Sequence, residues 1–209
     1  MRTGKYIVID GGDGTGKGTV IEFLKIHLGN KVFFTREPGG TQLGEKIRTL
    51  LFSDYMNLEA EFYLFLAQRA QHKIEFIVPK LSSGCHIISD RAESSTFAYQ
   101  ICARDSGRSL EAQFWYAREN QLPHPDLYII LDASTEIAML RSNERRKSGG
   151  EVNRFDEERE IFHKKVRDGF LEFTRTITQE SCVVNAERTQ EEVCLEVLKI
   201  VNDYCVKQD

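Results

Sequence analysis

The chain has 209 residues, 28 basic and 32 acidic side chains and a net charge of −4. At this size it is expected to fold as a single domain over residues 1–209, with a core that needs no disulfides or metals. The slight acidity speaks against a general nucleic-acid binder, whose footprint is a basic excess, but leaves room for one locally basic pocket. No apolar run approaches the roughly 20 residues of a membrane-spanning helix, so no membrane partner is expected. The N-terminus has no signal-peptide pattern. Five cysteines, an odd number without a Cys-x-x-Cys pair, read as reduced thiols in a cytoplasmic protein.

In chain order, Lys5–Asp10 (KYIVID) reads as a buried parallel strand. Glycines follow, then a helical stripe over Thr19–Leu28 closed by Gly29-Asn30. A second strand covers Lys31–Thr35 and stops before Pro38-Gly39-Gly40. Helices are predicted over about 41–52 and 58–81, and a third strand over Cys85–Asp90. Helical segments follow at about 94–104 and 109–121. The fourth strand is Asp126–Asp132, succeeded by a helix over Thr135–Arg146 and a glycine loop. A helix is expected from about Phe155 to Ile177, a fifth strand over Ser181–Asn185 and a last helix over Glu191–Cys205. Alternating buried-type strands and helices mean a parallel sheet covered on both faces, with ligands at the carboxyl ends of the strands.

Gly11-Gly-Asp-Gly-Thr-Gly-Lys17 lies between the first strand and the first helix. It fits the phosphate-binding pattern G-x-x-x-x-G-K-[ST] except that position 18 is Gly, with Thr19 next. Gly11, Gly12, Asp13, Gly14, Thr15, Gly16, Lys17, Gly18 and Thr19 therefore form the expected nucleotide-phosphate site. The glycines let backbone N–H groups turn inward, and the helix start adds unpaired donors and a positive dipole end. Lys17 supplies a point charge for the β and γ oxygens. The loop alone does not fix the class of nucleotide protein.

Three further segments narrow it. They are Thr35-Arg-Glu-Pro-Gly-Gly-Thr41, Phe65-x-x-x-Arg69-Ala-Gln-His72, and Asp90-Arg91 followed by Ser95-Thr-Phe-Ala-Tyr99-Gln100. With the loop before them, these resemble the thymidylate kinase (dTMP kinase) family from about residue 5 to residue 200. The resemblance implies an α/β P-loop nucleoside monophosphate kinase fold with a five-stranded parallel sheet. It also implies phosphoryl transfer from ATP to dTMP, magnesium as cofactor and a homodimer. A kinase for another deoxynucleotide such as dUMP, and a P-loop switch, remain as alternatives. Asn30-Lys31-Val32-Phe33 fails the Asn-Lys-x-Asp guanine reader at its fourth position.

By the same resemblance Arg91 and Arg48 hold the dTMP phosphate, a task suited to a forked guanidinium. Phe65 and Arg69, four apart on one helix face, bracket thymine. Tyr99 lies under the deoxyribose, and Asp13 meets the sugar's 3′-hydroxyl. Glu37, Ser95, Thr96 and Gln100 complete the substrate set. Asp90 ends a strand beside the phosphates and is the metal candidate. His72 and the other histidines are read as structural.

Residues 145–154 hold four basic side chains against Glu151, a net of +3, with two glycines. This is expected to be a mobile basic lid at about 142–155. Some family members carry an arginine inside the loop where this chain has Gly14. The catalytic positive charge is then expected from Lys17, Arg91 and the lid, with Arg154 first and Arg146 or Arg145 next. Asn153 and Asp156 depart from the family's Asp-Arg-x-Glu, and Ala92 stands where an aromatic residue is common.

Overall fold

In the computed structural model, residues 4–53, 55–149, 154, 155 and 158–206 are described. Five strands, β1 (Tyr6–Gly11), β2 (Val32–Arg36), β3 (His86–Asp90), β4 (Leu127–Asp132) and β5 (Glu180–Asn185), form one sheet in the order β2-β3-β1-β4-β5. Every pairing is parallel. β1, at the centre, is buried along its whole length, as its unbroken apolar run demands.

The helices are α1 (Lys17–Leu28), α2 (Gln42–Ser53), α3 (Leu58–His72), α4 (Val78–Ser82), α5 (Glu93–Thr96), α6 (Gly107–Asn120), α7 (Thr135–Lys147), α8 (Glu160–Thr176) and α9 (Gln190–Val206). One face of the sheet packs on α1 and α9 through Leu24, Val197 and Val201. The other packs on α2, α3, α6 and α8 through Phe62, Phe114, Phe170 and Phe173. This three-layer arrangement is the expected one.

Three details differ from expectation. The helix predicted over 58–81 contains a wide π turn at Lys73–Ile77 before Pro79, which offers no N–H to the carbonyl four residues back. A second π segment, Phe97–Ala103, carries Tyr99 and Gln100. The helix expected from Phe155 starts at Glu160, because Arg154 and Phe155 form a turn packed on other elements. Asn153 and Asp156, with Gly150 and Glu151 of the expected lid, lie outside the described residues.

From β1 the chain runs to the edge strand β2, returns to β3 between them, then crosses β1 to β4 and β5. Beside β1 the connections leave in opposite directions, so the carboxyl ends of β1 and β3 border an open crevice.

Candidate active site

The crevice is a cleft of about 840 Å³. One end is the β1–α1 loop. Gly14 has φ +80° and Gly16 φ +91°, the left-handed backbone that lets the loop fold back toward α1. A Cβ on Gly14 would lie 1.9 Å from the Ala138 carbonyl oxygen, so the loop rests directly on the backbone of α7. Lys17 Nζ donates to the carbonyls of Gly11 (2.9 Å) and Gly12 (2.7 Å). Burial and the Arg91 guanidinium push its ammonium down to about 8, a shift that arriving phosphates would oppose. Gly18 and Thr19 line the cleft beside it. Gly11, Gly12 and Thr15 are not among the residues lining the cleft: Gly11 has no space for a side chain against Leu131, and Thr15 Oγ1 donates back to Gly12 O at 2.8 Å.

The middle of the cleft belongs to Arg91. Its φ of +69° is unusual for a residue with a side chain and points to a backbone held by its surroundings. The guanidinium donates to Asp13 Oδ1 (2.7 Å), Ser95 Oγ (3.0 Å) and Gly11 O (3.2 Å). Asp13 also accepts from the Tyr99 hydroxyl at 2.6 Å. Against the cost of burial, Arg91 and Lys17 hold the Asp13 carboxyl down at about 2. Beneath lies Asp10, fully buried, which sequence reading overlooked. It accepts from Gly11 N (2.9 Å), Ser94 Oγ (2.6 Å) and Ser95 Oγ (2.8 Å). An acidic residue closing an all-apolar strand was the available signal.

At the far end, Arg69 is buried against Glu37. Its Nε donates to Glu37 Oε2 at 2.7 Å and its Nη2 to Thr96 Oγ1 at 2.8 Å. The third nitrogen, Nη1, is buried without a partner. His72 fixes the other oxygen of Glu37 through Nδ1 at 3.0 Å and holds Thr35 through Nε2 at 2.7 Å, a structural role as expected. Although burial opposes it, Arg69 and His72 hold Glu37 down at about 2. Phe65 and Gln100 border the same end, and Arg48 donates to Pro38 O at 3.0 Å.

Most expected site residues thus meet in one cleft: Asp13, Gly14, Gly16, Lys17, Gly18, Thr19, Glu37, Arg48, Phe65, Arg69, Asp90, Arg91, Ser95, Tyr99 and Gln100. Thr96 stands behind Arg69 rather than in the cleft. The arginines after β4 fall out differently from the expected order. Arg141 and Arg145, one turn apart on α7, line the cleft, whereas the exposed Arg146 does not. Arg154 also turns away from it, because Nη2 pairs with Glu61 at 2.6 Å and Nε donates to Leu51 O at 2.7 Å. Its neighbour Phe155 does reach the cleft and packs edge-on against Tyr99.

Comparison with known proteins decides the family. The family model described as thymidylate kinase matches residues 9–197. The chain belongs to the thymidylate kinase family. It is 40% identical over 200 residues to the thymidylate kinase of Carboxydothermus hydrogenoformans, covering 93% of this chain and 95% of that one. To the thymidylate kinase of Oenococcus oeni it is 34% identical, with 97% of each chain covered. The crystal structure of thymidylate kinase from Ehrlichia chaffeensis superimposes with a TM-score of 0.74 at 27% identity, covering 95% of this chain and 98% of that one. The fold is that of a nucleotide kinase.

Proposed function

We propose that this protein transfers the γ-phosphoryl group of ATP to dTMP, giving ADP and dTDP. The observation that carries the reading is one cleft with a phosphate-binding loop at one end and, at the other, a buried unpaired donor, Arg69 Nη1, beside Phe65 and Gln100. A keto oxygen on a pyrimidine ring satisfies that donor, and Phe65 offers a stacking face. No observation favours a switch or another deoxynucleotide.

The acceptor needs no general base, since a phosphate monoester is largely dianionic near pH 7. Arg91 and Arg48 hold that dianion at the cleft's middle. Its oxygen bonds to the γ-phosphorus as the bond from that phosphorus to the β,γ-bridging oxygen breaks, and ADP leaves. The loop N–H groups and Lys17 neutralise the donor's phosphates. Arg145 and Arg141 are the cleft-lining cations of α7 and are favoured over Arg154 and Arg146 as the source of further charge. The segment at about 142–155 is proposed as a lid on its basic composition.

Magnesium is proposed as cofactor, with Asp90 as its protein anchor. Asp90 lines the cleft and its Oδ1 is buried without a partner. Among the described residues there is no group of three metal-ligating side chains. That suits an ion held by one carboxylate, water and phosphate oxygens, where it would neutralise charge on the transferring group. A homodimer is proposed as well. Leu43 and Leu50, a heptad apart on α2, and Tyr63 on α3 are about half exposed, at 47%, 46% and 48%. A cytoplasmic location rests on five unpaired cysteines; no helix among the described residues is long and apolar enough to cross a membrane.

The test is an ADP-release assay with purified protein, ATP and a panel of nucleoside monophosphates. dTMP is expected to be the preferred acceptor, and Lys17→Ala to lower turnover by orders of magnitude. A protein that phosphorylates no pyrimidine monophosphate refutes the reading.

A further inference from the structure

Glu61 is a buried carboxylate, 2% exposed, which the reaction as described above does not use. It sits on α3 one turn before Phe65, and each of its oxygens has a defined neighbour. Oε2 accepts from Arg154 Nη2 at 2.6 Å, and Oε1 from the side-chain amide of Gln100 at 2.7 Å. Gln100 is itself buried, 1% exposed, and borders the base end of the cleft.

The orientation of an amide is ambiguous from shape alone but is fixed here by chemistry. Arginine has only donors, so the Glu61 oxygen it meets, Oε2, accepts from it. A carboxylate has only acceptors, so the group it meets on Gln100 must be the NH2. The carbonyl Oε1 of Gln100 is therefore turned away from Glu61. Among the described residues it receives no hydrogen bond.

We propose that Glu61 is a positioning residue that presents the Gln100 carbonyl, rather than its amide hydrogens, to the base. The inference rests on the reading that Gln100 borders the pyrimidine. A presented carbonyl selects rings carrying an N–H donor at N3, as thymine and uracil do. It opposes cytosine, whose N3 is an acceptor. Arg154 takes part by occupying Oε2 of Glu61 and leaving Oε1 to the Gln100 amide, so a residue outside the cleft sets a polarity inside it.

Glu61→Gln tests this, because it forces the arrangement to invert. The amide introduced at position 61 has one acceptor, which Arg154 claims; its NH2 must then face Gln100 and draw the Gln100 carbonyl toward itself. The amide hydrogens of Gln100 are left facing the base. Wild type and E61Q are compared for kcat/KM on dTMP and for the Ki of dCMP as a competitor of dTMP. The preference for dTMP over dCMP is expected to narrow at least tenfold in E61Q, with KM for ATP unchanged. A structural defect weakens both nucleotides together, lowering kcat/KM for dTMP and raising Ki for dCMP, and leaves the preference intact, so an unchanged preference overturns the proposal. If E61Q is recovered unfolded by circular dichroism, Glu61→Asp replaces it. Its shorter side chain withdraws from Gln100 while keeping the charge, and the same narrowing or its absence decides. A wild type that neither phosphorylates nor binds dTMP overturns the functional reading and this proposal with it. A wild type that prefers dTMP beside a variant with the same preference overturns the proposal alone.

Discussion

Three glycines of the β1–α1 loop and the first turn of α1 differ in what a methyl group would meet, and substituting each by alanine gives a graded expectation. Gly18 lies in the first turn of α1, has no left-handed φ, and has nothing within 4 Å of where a Cβ would stand. Gly18→Ala should leave stability unchanged or raise it by up to about 1 kcal/mol, since alanine loses less freedom than glycine on entering a helix. Gly16 is equally open but has φ +91°, so its alanine costs about 1–2 kcal/mol of left-handed backbone strain. Gly14 carries both penalties: φ +80° and a Cβ placed 1.9 Å from Ala138 O. Helix backbone cannot rotate aside as a side chain does, so α7 must shift. Adding about 1–3 kcal/mol for the forced displacement gives about 2–5 kcal/mol in total. Urea denaturation of the three variants measures the series directly, and each kcal/mol should move the melting temperature by about 2–4 °C. Turnover should fall most in Gly14→Ala, because α7 bears Arg141 and Arg145. Equal stability of the Gly14 and Gly18 variants, or a Gly14→Ala protein that melts with the wild type, would refute the reasoning. If Gly18→Ala is stable yet inactive, the open side of Gly18 is reserved for close approach of phosphates.

Three other expectations follow from the same contacts. Tyr99→Phe removes the hydroxyl bonded to Asp13 at 2.6 Å but keeps the ring; it should retain the preference for dTMP over its ribose counterpart, whereas Tyr99→Ala should narrow it, and identical ratios in both variants would reject a steric role. Arg145→Ala should lower kcat by roughly two to three orders of magnitude while Arg146→Ala stays near wild type, and comparable losses would show that lining the cleft is no guide to catalysis. Glu37→Gln strands the buried Arg69 and should cost about 3–5 kcal/mol at neutral pH. Because the folded state holds Glu37 down at about 2, that contribution is present above its usual range near 4.5 and lost as pH falls through 2. The stability gap between wild type and Glu37→Gln should therefore shrink over that interval, and a constant gap counts against the ion pair.

The sheet was legible because β1, β3 and β4 are short, β-branched and apolar, and each carries an aspartate at its last or next-to-last position. Glycine and proline marked most boundaries within a residue or two. The start of α8 was not legible. Phe155 continues the apolar periodicity of Phe162 and Phe170, yet it packs edge-on against Phe52 of α2 and Tyr99. A helix period shows that a residue seeks burial, without saying against which element. The π segments were hidden for a related reason, since one extra residue in a turn shifts side-chain direction without altering composition.

The cations of the site were easier to find than the anions that hold them. Arg69, Arg91 and Lys17 stand inside motifs, whereas Asp10 and Glu61 carry no motif and are defined only by three-dimensional pairing. Those pairings explain how a chain with net charge −4 presents a cationic cleft. Arg91 leans on Asp10 and Asp13, and Arg69 on Glu37. Each carboxylate fixes one side of a guanidinium fork, removing much of the rotamer freedom that phosphate or base would otherwise have to restrict on binding. The guanidinium keeps donors to spare, most plainly the unpaired Nη1 of Arg69. These carboxylates compensate part of the positive charge, so folding does not gather bare cations in the cleft. When an anionic substrate arrives it meets donors already aimed, and the site's selectivity lies in their geometry more than in its net charge.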